Sequence, residues 1–114
     1  MLMFYDFEVF KYDWVLVAIN PIEKTEDVIV NDRNKLIELY EMCKSHIWIG
    51  YNSRNYDQFI MKGILLGYNP KSISNAIIER NSKELHYDPQ FKRIKLYNYD
   101  CMQQMNGLKT LEGF

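Results

Sequence analysis

The stretch Phe4-Tyr5-Asp6-Phe7-Glu8 sets two acids inside an aromatic run. In an extended strand, residues two apart share a face, so Asp6 and Glu8 point the same way with α-carbons roughly 6.5 Å apart. Residues 2 to 9 and 14 to 19 are both aromatic and β-branched, and Phe10-Lys11-Tyr12-Asp13 between them suits a hairpin. A weaker third run, Asp27-Val28-Ile29-Val30, extends the meander. If the first run is a central strand, ionised carboxylates in it are costly unless they are paired or hold a metal. The plainer alternative is an edge strand whose outer face shows both acids to water.

Outward from this meander the pattern changes period. Asn31-Asp32 offers an N-cap, and Leu36, Leu39, Tyr40 and Cys43 recur on one helical face. Ile47-Trp48-Ile49 is apolar throughout, as in a strand buried on both faces and parallel to the first. Asn55 and Gln58 resemble a capping box opening a helix with Tyr56, Phe59, Ile60, Gly63, Ile64 and Gly67 inward. Asn69-Pro70 starts a shorter helix carrying Ile73, Ala76 and Ile77 inward. Ser82 to Gln90 reads as an exposed loop before a last strand across Phe91 to Tyr99. Leu108 to Phe114 looks like the opening of a further helix. The expected fold is α/β, a ribonuclease-H-like mixed sheet of order 3-2-1-4-5 flanked by helices, in one domain over residues 1–114.

Composition narrows the class. At 47% hydrophobic and 15% aromatic residues the chain is no disordered tail, and no apolar run reaches the roughly 18 residues of a membrane helix. No basic residue precedes Asp6, which is the wrong pattern for a signal peptide, so a cytoplasmic protein without membrane association is expected. Cys43 and Cys101 are expected to be buried free thiols, which fits a reducing compartment. The formal net charge of −1 argues against a nucleic-acid coat protein. A nuclease gripping one strand end through metal ions is compatible with it.

The second chemical feature is Gly50-Tyr51-Asn52-Ser53-Arg54-Asn55-Tyr56-Asp57, at the junction of the buried strand and the strongest helix. Ligands of open α/β sheets collect at the carboxyl ends of strands, where this junction falls. If its strand lies parallel to the first, Asp57 comes near Asp6 and Glu8. Three converging carboxylates suit Mg²⁺ or Mn²⁺, and two such ions about 4 Å apart clamp the attacking and leaving oxygens of a phosphodiester. Taken alone, Asp57 also reads as a first-turn acid stabilising the helix dipole.

With Asp6-x-Glu8 and Asn52-x-x-x-Tyr56-Asp57 in this order, the chain resembles the DEDD-type 3′-5′ proofreading exonuclease domain of family B DNA polymerases, particularly those of phages and plasmids. Leu108-Lys109-x-Leu111 is similar to the helix start that precedes the third motif of that group. The resemblance implies that Asp6, Glu8 and Asp57 are catalytic and hold two Mg²⁺ or Mn²⁺ ions. It also implies that Asn52 and Tyr56 bind a single-stranded DNA 3′ end, that a polymerase domain is the partner, and that the setting is a bacterial or phage-infected cell.

Two departures stand out. Val9 follows Glu8 where many members have Thr. No tyrosine is followed four residues on by an acid, so the third motif, Tyr-x-x-x-Asp, is missing. The expectation is therefore a partial domain, C-terminally incomplete, weak or inactive alone and prone to self-association through exposed apolar surface.

The other polar residues read more plainly. Tyr56 falls on the inward helical stripe and is equally well a core residue. Asp100 suits a capping or turn role, with an approach to the acids as the sharper option. Lys92, Arg93 and Lys95 form a solvated strand face or a phosphate rail. His46 and His86 read as non-catalytic, since neither starts a His-x-x-x-x-Asp variant of the motif. Trp14 and Trp48 read as core. Rival readings are a non-catalytic nucleic-acid-binding or assembly module of the same fold, and a related nuclease acting on RNA.

Overall fold

The computed structural model describes residues 1–101. Leu2–Val9 (β1) and Trp14–Asn20 (β2) pair antiparallel from Phe4 opposite Ile19 to Val9 opposite Trp14. The hairpin closes with Phe10 N donating to Asp13 O at 2.7 Å. Thr25–Val30 (β3) adds to β2, again antiparallel. Arg33–Cys43 forms α1, with the Asp32 carboxylate accepting Lys35 N at 3.0 Å as its N-cap. Ile47–Gly50 (β4) then returns parallel to β1, and Tyr97–Asp100 (β5) parallel to β4. The sheet order β3-β2-β1-β4-β5 is the one the pattern predicts.

One detail of register positions the site. β4 pairs with β1 only from Leu2 opposite Ile47 to Phe4 opposite Ile49, and ends at Gly50. β1 runs on to Val9. Beyond Phe4, the backbone of β1 on that side has no strand to bond, and an unpaired buried N–H is costly. Something else must take it up.

A single core lies on one face of the sheet. Met3, Tyr5 and Phe7 of β1, Leu16 and Ala18 of β2, Ile29 of β3 and Trp48 of β4 meet Leu36, Leu39 and Tyr40 of α1. Phe59, Ile60, Met61 and Ile64 join from Asp57–Leu66 (α2), and Ile73 from Pro70–Arg80 (α3). Each buried Leu, Ile, Met or Phe among them contributes roughly 1.5–3 kcal/mol by leaving water. All four residues expected on the inner face of α1 are buried. Gly67 ends α2 in the left-handed region at φ 89°, its N–H accepted by Ile64 O.

The other face of the sheet is open among the described residues. Phe4, Ile19, Val28, Val30, Ile47, Tyr97 and Tyr99 are exposed there. Ile47-Trp48-Ile49 is thus covered on one face only: Trp48 is buried, whereas Ile47 is 45% exposed. Among the described residues, helices cover one side of this sheet.

Further corrections come from local chemistry. The capping box at Asn55 and Gln58 does not form. Helix α2 begins at Asp57, Gln58 Nε2 donates to Arg54 O, and Asn55 Oδ1 accepts Ser82 Oγ. Ala76 and Ile77 are half-buried, and Ser74 takes the deep position beside Ile73. Residues 82–90 are not a loop but mostly two short helices, Lys83–Tyr87 (α4) and Pro89–Lys92 (α5), the second capped by Asp88 with Pro89 at its first position.

The last strand accordingly starts at Tyr97 rather than Phe91. Phe91 sits on α5 between the rings of Phe59 and Tyr68. Lys92, Arg93 and Lys95 are exposed on α5 and the turn after it, with the Lys92 ammonium 5.6 Å from the centre of the Tyr87 ring. Trp14 and Trp48 are buried. Both cysteines are free thiols, Cys43 buried and Cys101 half-buried. No helix among the described residues is long and apolar enough to cross a membrane. The helix expected over Leu108 to Phe114 lies outside the described residues.

Candidate functional site

Asp57 supplies what the β1 backbone lacks. It is the first residue of α2, and its Oδ1 accepts Phe7 N at 2.9 Å. The bond replaces the missing β4 partner at the point where β1 carries Asp6 on one side of Phe7 and Glu8 on the other. The helix N-terminus favours a carboxylate, and Asp57 gains an N–H there as well.

Burial outweighs these bonds. Asp57 is 3% exposed. Desolvation, with smaller contributions from the charges of Asp6 and Asp100, pushes its pKa up to about 7 against the opposition of the Phe7 N–H. Tyr5 beside it is also held well above the usual phenol range, by burial first and then by the Asp57 charge. Its hydroxyl donates to Asn98 Oδ1 at 2.6 Å.

Asp6 and Glu8 lie on the open face of β1 and are exposed. β1 is central, as expected, yet its outward acids are exposed, with no second layer over them among the described residues. The desolvation cost anticipated for them falls on Asp57 instead. Asp6 is close enough for its charge to raise Asp57. Among the described residues no three acidic, histidine or cysteine side chains are gathered closely enough to hold a metal ion.

As a donor set for Mg²⁺ or Mn²⁺, the pair fits in kind. It offers hard carboxylate oxygens, one of them buried with its charge opposed by two like charges, which a divalent cation would relieve.

Asn52 has a structural duty that the sequence hid, and Tyr56 packs against the core as its place on the inward stripe allowed. Asn52 adopts φ 58°, and its N–H donates to Asp100 Oδ1 at 2.9 Å. Tyr56 is half-buried, its hydroxyl 2.8 Å from Ser74 Oγ on α3. Asp100 takes the capping role: Oδ1 accepts Asn52 N, and Oδ2 accepts Arg54 N at 3.1 Å, so the end of β5 clamps the turn after β4.

Gly50 leaves room for that turn. A Cβ on it would stand 2.7 Å from Ser53 Cβ and 3.3 Å from Tyr5 O. Sequence reading missed Tyr5, Asn98 and the Phe7 N–H as parts of this junction. Only the pairing of Gly50 with Asp100 could have pointed there, and that register is not visible in a sequence.

His46 and His86 are half-buried. His86 packs edge-on against Phe59, and burial lowers its pKa first, with Arg54 and Lys62 adding to the effect. Compared with protein-family models, with curated proteins and with solved structures, the chain matches none.

Proposed function

We propose that this chain carries part of the active site of a metal-dependent 3′-5′ exonuclease of the polymerase-associated kind, acting on a single-stranded DNA end. The observation that supports it best is Asp57, a buried carboxylate with its pKa at about 7, bonded into β1 beside Asp6 at the carboxyl end of β4. A strongly shifted acid at a strand end of an α/β sheet suits a functional site better than a merely structural cap. The order β3-β2-β1-β4-β5 agrees with the resemblance in Asp6-x-Glu8 and Asn52-x-x-x-Tyr56-Asp57.

On this reading Asp6 and Asp57, with Glu8, would hold Mg²⁺ or Mn²⁺. Such ions supply Lewis-acid activation of water and stabilise the charge on the phosphodiester oxygens. Asp57 must lose its proton for this role, and Phe7 N–H holds one of its oxygens still while it does. Asn52 and Tyr56 would contact the strand end, Tyr56 from a position fixed by Ser74. A polymerase domain is the expected partner.

Calorimetric titration with Mn²⁺ at pH 8 tests the reading. Weak binding is expected, accompanied by proton release when the titration is repeated at pH 6.5, and it is lost in Asp6→Ala and in Asp57→Ala. The absence of binding up to millimolar Mn²⁺ would sink it. Cleavage of a single-stranded oligonucleotide by this chain should be slight, because the sequence holds no Tyr-x-x-x-Asp to supply a fourth acid and orient water.

A second reading, a non-catalytic nucleic-acid-binding module, is favoured by one observation: no three potential ligands are gathered among the described residues. It predicts oligonucleotide binding with no response to Mn²⁺.

A further inference from the structure

The outward face of the sheet carries a pattern that the acidic site does not use. Side chains alternate along a strand, so those facing away from the helices fall into rows fixed by the strand registers. At the corner near the β1–β2 hairpin the rows are valine, Val30 opposite Val15 and Val28 opposite Val17. The next row, Ile19, Phe4, Ile49 and Tyr99, runs across four strands. Leu2, Ile47 and Tyr97 fill the corner diagonally opposite the valines.

These residues are exposed or half-buried, Val28 and Val30 at 51% and 53% and Tyr97 at 57%. Together they form one apolar band from corner to corner. With strands about 4.8 Å apart and alternate residues about 6.6 Å apart along a strand, the band is about 27 Å long. Exposed apolar residues scattered singly are ordinary, whereas a contiguous patch crossing a whole sheet marks an interaction surface.

Charge on this face is confined to the flanks of the band and has one sign. Asp6 and Glu8 border it on one side, opposite Val17 and Val15. Glu26 borders it on the other, opposite Ile19. All three acids are exposed. Among the described residues, no outward position of the sheet is lysine or arginine.

A second copy of the chain is a poor occupant. A two-fold axis that lays band on band turns the Glu26 flank of one copy onto the Asp6 and Glu8 flank of the other, or like flank onto like flank. Acid then meets acid with no cation on either face, which is costly. The complement of this face is an apolar stripe bordered on both sides by cations. An α-helix supplies it at the right size, since about 18 residues span 27 Å with a diameter of about 10 Å. Its apolar residues at i, i+3, i+4 and i+7 make the stripe.

We propose that the outward face of this sheet docks a basic amphipathic helix of a partner protein, laid along the diagonal band. The helix buries the band, and its lysines or arginines meet Asp6 and Glu8 on one side and Glu26 on the other. Neither metal nor nucleic acid enters, so the docking stands apart from the exonuclease reading.

Fluorescence anisotropy tests this with the full 114-residue chain in EDTA. The probe is a labelled synthetic helix of about 18 residues with leucine on the stripe and lysine elsewhere. A peptide with glutamate in place of every lysine, and a scrambled peptide of the first composition, are the controls. Saturable binding of the basic peptide is expected, about tenfold or more tighter than either control and weaker at high salt. Val28→Lys puts a cation in the valine corner and should weaken binding by about tenfold or more. Glu26→Lys should weaken it by about 2- to 5-fold. Both residues are exposed on the edge strand β3, so circular dichroism and thermal unfolding should stay unchanged.

No saturable binding, equal binding of either control peptide, or binding that neither variant weakens overturns the proposal. So does sedimentation that finds the chain dimeric and Val28→Lys monomeric, because a second copy then holds the face. Binding seen only after Leu108→Ser and Leu111→Ser overturns it too, since residues 102–114 of this chain would then be the occupant. A failed Mn²⁺ titration removes the exonuclease reading and leaves this result standing, and the reverse also holds.

Discussion

Asp57 and Asp100 meet the same need at neighbouring places in the sheet. Each stands where parallel pairing ends and accepts backbone N–H groups that no strand bonds: Phe7 N for Asp57, Asn52 N and Arg54 N for Asp100. Their surroundings differ. Asp57 is buried at the first turn of α2 near Tyr5, while Asp100 is half-buried at the end of β5. Hydrogen bonding at Asp57 does not by itself decide whether the carboxylate keeps its charge. At Asp57 the loss of water outweighs the N–H groups and raises the pKa to about 7, so the folded protein holds a proton there that the unfolded chain would release.

The largest effect should come from removing the Asp57 charge. Its pKa is raised from 3.8 in the unfolded reference to about 7 in the fold. Its contribution to stability is therefore complete below about pH 4, declines as pH rises, and levels off above about pH 7. Asp57→Asn keeps an oxygen for Phe7 N and cannot ionise. Urea unfolding should find it close to the parent chain at pH 4 and more stable at pH 8, by at most about 4 kcal/mol. A difference that does not change with pH would show that Asp57 is not desolvated in solution.

Asp100 should behave in the opposite way, since its removal takes away two backbone hydrogen bonds of the turn. Asp100→Ala leaves two N–H groups of the turn without their acceptor and should cost about 2–3 kcal/mol. Asp100→Asn should recover part of this, because one oxygen can still accept. Hydrogen exchange sharpens the contrast: Asn52 and Arg54 amides should exchange faster in Asp100→Ala, with Phe7 unaffected. If Phe7 were exposed too, the junctions would be one cooperative unit.

How much of this was legible depended on whether the determining contact was local. The hairpin and the α1 face at Leu36, Leu39, Tyr40 and Cys43 follow from periodicity and turn residues close together in sequence, and the strand order follows from the succession of strands and helices. The two short helices escaped notice because Lys83–Tyr87 spans five residues and Pro89–Lys92 four. Segments of that length have no period to read; α5 packs through Phe91 between Phe59 and Tyr68, and α4 through His86 on Phe59.

The acids illustrate the same limit. Asp6, Glu8 and Asp57 could be singled out by spacing. Which of them would be buried depended on β4 ending at Gly50 while β1 continues, and on the outer sheet face being open among the described residues, neither of which a residue pattern encodes. The role of Asp100 followed from its place at the end of a strand. Its partners, Asn52 and Arg54, lie 48 and 46 residues away.

The smallest effect concerns Asn52, which both junctions share: its N–H is held by Asp100, and it precedes Asp57 in the motif. At φ 58° it occupies a region where glycine costs nothing and alanine about 1 kcal/mol. Asn52→Gly should leave stability within about 0.5 kcal/mol, and Asn52→Ala should lower it by about 1 kcal/mol. The glycine variant thereby removes the side chain while keeping the turn. If the Asn52 amide contacts a bound strand, oligonucleotide affinity in Asn52→Gly should fall by roughly 2- to 10-fold, the usual worth of one such hydrogen bond. An affinity equal to that of the parent chain would reduce Asn52 to a turn residue, its motif position then explained by backbone geometry and the Asp100 clamp alone.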